Sequence, residues 1–115
     1  MKSISKALHI MMLSMIPIPT VSHIYLYPKP INMKLGENKL IDLCMNKMGL
    51  NPTNGLVFLF FNKSQDKVKL FFLDDTGSQE IMKVLPQGGF LLPVANANQK
   101  YIKIELSKLP SLLRM

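Results

Sequence analysis

Six consecutive apolar residues, Leu56-Val57-Phe58-Leu59-Phe60-Phe61, restrict the fold more than any other feature of the chain. The run is too short to span a membrane, which takes roughly 20 apolar residues. It also lacks the polar alternation of a strand with one wet face. A short, unbroken run of strand formers reads instead as a central strand covered on both faces. Asn54-Gly55 before it and the polar stretch Asn62 to Asp66 after it mark turns.

The residues that follow supply neighbours for such a strand. Lys67 to Asp74 reads as a second strand, with Val68, Leu70 and Phe72 on one face and Lys67, Lys69, Phe71 and Leu73 on the other. A connection of about five residues suits an antiparallel hairpin. Asp74-Asp75-Thr76-Gly77 is a turn, and Glu80 to Leu85 a third strand. Pro86 to Gly89 turns again. Phe90 to Val94 is expected to be a short extended segment, placed at an edge by Pro93. Tyr101 to Leu106 alternates, with Ile102, Ile104 and Leu106 inward and Tyr101, Lys103 and Glu105 outward. Ser107 is expected to cap a short C-terminal helix, with Pro110 in its first turn.

Upstream, His23 to Tyr27 alternates as a strand that Pro28 and Pro30 end. Asn32 stands where an N-cap would, and Met33 to Met48 reads as a helix with Leu40, Leu43, Cys44 and Met48 on one stripe. Gly36 lies inside that span, which either permits a close approach or marks a later start. Gly49 suits a left-handed cap, and Asn51-Pro52 blocks continuation. The order predicts an α+β domain: a largely antiparallel sheet of about five strands, one helix packed on it, and a short C-terminal helix.

The first residues read differently. Lys2 and Lys6 precede the apolar stretch Ala7 to Ile18, as in a secretory signal. His9, Ser14, Pro17 and Pro19 interrupt that stretch, and no small-x-small cleavage site follows. Met15 offers a second start. Residues 1–14 are therefore expected to be an extension upstream of the true start or a poorly ordered tail, and residues 15–115 a single domain in the cytoplasm. The alternative is a small secreted β-rich protein with an N-terminal signal peptide.

Fourteen basic residues face seven acidic ones, a net charge of +7, and thirteen of the basic residues are lysine. Such an excess points to a polyanion. Arg114 is the lone arginine, so base-specific readout by guanidinium forks has little to draw on. Lysine suits phosphate contact, which positions without specifying. Lys67, Lys69 and Lys63 could track a phosphate backbone, with Phe71 stacking on a base; the competing reading buries Phe71 and Leu73 under the helix or against a partner.

Catalytic chemistry finds little support. Cys44 is the single cysteine, with no disulfide partner, and His9 and His23 lie far from it in sequence. Asp74-Asp75 could in principle hold a divalent metal, but adjacent carboxylates on an extended chain point to opposite sides, and Asp is common in turns. Gly88-Gly89 is a turn signal, not a phosphate loop. The expectation is no enzyme, no cofactor and no metal site.

Five short motifs, in order, resemble the TnpB-type accessory proteins of the insertion sequence sixty-six family. Members begin with a Met-Ile-Pro-like start, a tyrosine-bearing strand and an Asp-Met-Arg-Lys-Gly helix start; here stand Met15-Ile16-Pro17, Ile24-Tyr25-Leu26 and Asn32-Met33-Lys34-Leu35-Gly36. An Asn/Asp-Pro-x-x-Gly turn and a Phe-rich strand match Asn51-Pro52-Thr53-Asn54-Gly55 and Val57 to Phe61. An Ile-Lys-x-Leu strand with an acidic-Gly turn is similar to Asp66-Lys67-Val68-Lys69-Leu70 and Asp74 to Gly77. A Lys-Arg-Leu-x-x-Gly-x-Phe-x-x-Pro segment is similar to Lys83 to Pro93. The departures are mostly basic positions: Leu35 replaces a lysine, Val84 an arginine, and the basic loop is reduced to Lys63. Asn32 replaces the family's acid, and Leu73 an aromatic.

The resemblance implies an accessory role in DNA transposition, with catalysis carried by a separate, larger protein. The expected partners are the ends of the mobile element and its transposase, with no small-molecule substrate and no membrane. Lys34, Lys63, Lys67, Lys69 and Lys83 are the expected nucleic-acid or partner contacts.

Overall fold

The apolar run becomes the middle of a five-stranded sheet. The computed structural model describes residues 23–52 and 55–114. Its strands are β1 (Ile24–Leu26), β2 (Val57–Phe61), β3 (Lys67–Asp74), β4 (Gly77–Val84) and β5 (Ile102–Ile104), in the order β4-β3-β2-β1-β5. All five residues of β2 are buried, as a strand flanked and covered on both faces requires. The expected extension at residues 1–14, the candidate signal segment and Met15 lie outside the described residues.

Three of the four strand pairings are antiparallel. The exception is β1 with β2, which run parallel. Parallel neighbours need a crossover, and here a helix supplies it. It comprises α1 (Glu37–Asp42), continued by a wider π-type turn over Leu43–Lys47. The widening shows in the Met48 N–H, which donates to the Leu43 carbonyl five residues back at 2.9 Å. Gly49 follows at φ +72, the left-handed conformation that ends helices, and the Leu50 N–H returns to the Cys44 carbonyl.

The helix begins later than the sequence pattern suggested. Asn32 does not cap it. Its Oδ1 accepts the Lys34 N–H at 2.9 Å, an Asx turn that competes with helix formation, and Gly36 stands at the N-cap position instead. Residues 32–36 thus form a loop across the sheet end.

Each face of the sheet has its own apolar layer. Leu40, Cys44 and Met48 of the helical segment pack with Tyr27, Phe58, Phe60 and Phe71 on one side. Phe71 is therefore covered within this layer, not open to a base, and its neighbour Leu73 is half-buried against it. On the other side Val57, Leu59, Phe61, Val68, Leu70 and Phe72 meet Phe90, Leu109 and Leu113. Fully burying a Leu or Phe side chain contributes about 1.5–3 kcal/mol, so both layers hold the sheet.

Four further expectations change in detail. β3 and β4 join through a tight turn in which Asp74 pairs directly with Gly77, so β4 starts three residues earlier than expected. Phe90 to Val94 forms no strand; Phe90 is an anchor in the second layer while Leu91 and Val94 are more than nine-tenths exposed. Ser107 makes no cap, because a 3-10 turn over Leu106–Lys108 leads into α2 (Leu109–Leu112) from Glu105. Leu106, expected to face inward, is exposed in that turn.

Candidate nucleic-acid interface

The loop at residues 30–34 and the β2–β3 connection face each other across an open groove. It is lined by Pro30, Ile31, Asn32, Met33 and Lys34 on one side and by Asn62, Lys63, Ser64 and Lys67 on the other. Three of the five expected lysines thus meet at one place. Lys34 and Lys63 are exposed and Lys67 is half-buried, and no carboxylate is among the lining residues.

Hydrogen bonds set the shape of both walls. The Ile31 N–H donates to the Phe61 carbonyl, tying the loop to the end of β2. Opposite, Asp66 Oδ1 accepts from Asn62 Nδ2 at 2.6 Å and from Ser64 Oγ at 2.7 Å. Those bonds, the Asn62 amide first and the Ser64 hydroxyl next, with a smaller pull from Lys67, hold the Asp66 carboxyl below its usual range. Asn62 Oδ1 in turn accepts the Lys67 N–H. Gln65 adopts φ +59, uncommon for a residue with a side chain, and its carbonyl accepts the Phe90 N–H at 2.7 Å. A segment distant in sequence therefore braces the loop that carries Lys63.

Lys69 lies beneath this groove and differs from the others. Its Nζ donates to the Met33 carbonyl at 2.8 Å and sits 3.0 Å from Glu80 Oε1. It is buried, so its ammonium is committed to the fold and to holding the loop at Met33. Lys83 lies apart from the other four. It pairs across the sheet with Val68, which places it on the opposite face, and its Nζ reaches the Arg114 carbonyl at 3.3 Å. Partial burial, and then the charge of Arg114, push its pKa down.

The Asp74–Asp75 pair is used as a turn. Asp74 Oδ1 accepts both the N–H and the hydroxyl of Thr76, and Oδ2 accepts from Gln79. Cys44 is buried against the sheet, and burial pushes its thiol up to about 12. Among the described residues, no three of the His, Cys, Asp and Glu side chains gather as a metal site would require, and no helix is long and apolar enough to cross a membrane.

A family model described as IS66 Orf2 like protein matches residues 22–114, most of the chain. The chain belongs to the IS66 Orf2-like family. Membership places it with the accessory proteins of transposition. No curated protein and no solved structure compared with it gives a match. Several motifs of the IS66 Orf2-like resemblance acquire physical roles here; Met15-Ile16-Pro17 precedes both the match and the described residues, and Thr53-Asn54 also lie outside the described residues. The segment Asn32 to Gly36 is the groove's first wall, Asp66 to Leu70 leads away from its second wall, and Phe90 of the last motif is the brace behind Gln65.

The lysines are legible along the chain, but the walls of the groove are not. Nothing along the chain signals that Pro30 to Met33 would face Asn62 to Ser64, because the parallel β1–β2 pairing brings them together. The Asn62-x-Ser64-x-Asp66 spacing is the one local sign of a structured turn there.

Proposed function

We propose that this protein is a non-catalytic, cytoplasmic accessory factor of transposition that holds the phosphate backbone of the element's DNA in the groove of Lys34, Lys63 and Lys67. The observation that carries the reading is the convergence of three lysines on one open groove with no carboxylate among its described lining residues. Lysine ammoniums contact phosphate as point charges, so the groove suits sequence-independent backbone binding more than base readout. No aromatic side chain is among its described lining residues, which argues against stacking of single-stranded bases. Duplex DNA is the ligand that fits.

A salt titration of binding to duplex DNA tests the reading. Each phosphate neutralised on B-DNA contributes about −0.9 to the slope of log affinity against log salt, so three contacts account for roughly −3. The Lys34→Ala/Lys63→Ala/Lys67→Ala variant is expected to lose that part of the slope. Binding that is absent in the wild-type protein, or a slope unchanged in the variant, removes this reading and leaves the transposase as the direct partner.

A further inference from the structure

A second groove shares no residue with the first. Leu91, Leu92 and Pro93 form one side, Ile102 to Glu105 run along its length, and Lys108, Ser111 and Leu112 close it. It follows the outer edge of β5, the last strand of the sheet. The direction of the backbone at that edge follows from the pairing of β1. Val57 donates to the His23 carbonyl and Tyr27 donates to the Leu59 carbonyl, so residues 23, 25 and 27 turn their peptide groups toward β2. Ile24 and Leu26 therefore bond to their partners in β5, Ile104 and Ile102. Lys103, between them, points its N–H and C=O away from the sheet. Among the described residues, no backbone hydrogen bond meets it on that side.

An unpaired strand edge templates another extended chain. This edge is short, and it carries Lys103 with Pro93 beside it, yet it opens into a groove also lined by Leu91, Leu92, Ile102, Ile104 and Leu112, with Leu91 standing exposed. The lining charges are two exposed lysines, Lys103 and Lys108, against one acid, Glu105. We propose that the β5 edge and its groove take an extended, acidic segment of a protein partner by strand addition. Backbone bonds to Lys103 supply the pairing, alternate apolar side chains of the partner enter between Leu92 and Leu112, and its carboxylates meet Lys103 and Lys108.

The test uses the full-length protein and a library of displayed linear peptides. Selection is expected to enrich sequences that alternate apolar residues with Asp or Glu. Binding of the selected peptides should slow hydrogen exchange at the Lys103 amide. Lys103→Pro removes the outward N–H and leaves the bonds of Ile102 and Ile104 to β1 in place, and is expected to weaken binding roughly tenfold or more. The Lys103→Glu/Lys108→Glu variant, which keeps the backbone, should do the same through charge. Enrichment of no sequence, of basic sequences, or of peptides indifferent to both variants overturns the proposal. So does a Lys103 amide already protected in the protein alone, which would show the edge covered by the chain itself. A dimer that dissociates in Lys103→Pro would show a second copy there and overturns it equally.

Discussion

Lys69 and Glu80, on adjacent strands, form an ion pair of 3.0 Å whose lysine end is buried and whose glutamate end remains partly open. The same ammonium holds the Met33 carbonyl, so one side chain links the sheet to the wall of the basic groove. The two partners are not equivalent. Removing the lysine leaves a part-buried carbonyl without its donor, whereas removing the glutamate charge leaves Lys69 still bonded to Met33. Lys69→Met is expected to cost about 1–3 kcal/mol and Glu80→Gln about 1 kcal/mol or less, because solvent already screens the carboxylate. Urea denaturation of both variants checks this; a larger loss in Glu80→Gln would overturn the assignment of the lysine as the anchor.

The lysines can be separated individually. Lys34→Ala and Lys63→Ala should each reduce the salt slope of duplex binding by about 0.9. Lys83→Ala, on the opposite face, should leave it unchanged. Equal losses from all three would mean that net charge, not the groove, drives binding.

The Cys44 thiol should be unreactive while the protein is folded. Burial pushes its pKa up to about 12 from an ordinary value near 9. Alkylation at neutral pH is expected only in urea, where the single thiol becomes accessible. A folded pKa above the unfolded one leaves stability untouched below pH 9, because both states then hold the proton. Stability falls as pH rises from about 9 to about 12, where only the unfolded thiol has ionised. The wild-type protein should therefore lose more stability over that window than Cys44→Ala, as thermal melts at stepped pH would show. Rapid native labelling at pH 7 would contradict the buried placement.

Two glycines should respond differently to the same change. Gly49 adopts φ +72 with nothing within 4 Å of an added methyl, so Gly49→Ala meets backbone strain alone and should cost about 1–2 kcal/mol. Gly36 also has open space around it but an ordinary φ of −81 at the helix N-cap. Gly36→Ala trades a gain in unfolded-chain entropy against a poorer cap and should be within about 0.5 kcal/mol of neutral. Similar losses at both positions would exclude helix termination at Gly49 as the cause.

Local chemistry carried much of this fold in one dimension. Leu56 to Phe61 has no polar position to turn toward water, so it suits an interior strand, which the structure forms over Val57–Phe61. The alternation of Val68, Leu70 and Phe72 assigned one face of β3, and Gly49 with Pro52 ended the helix. These features depend on near neighbours in the chain. Asn32 and Ser107 show where that reading stops, since a capping residue is also a turn residue and only the path of the chain decides between the two. The site belonged to the third dimension. The parallel pairing of β1 with β2 sets Lys34 across from Lys63 and Lys67. The register of β4 opposite β3 places Lys83 beside Val68 on the far face, while the helix and the 32–36 loop close over Lys69. Five lysines that look alike in sequence thus become three groove residues, one internal anchor and one outlier, because pairing partners and burial are properties of segments that meet only in the folded chain.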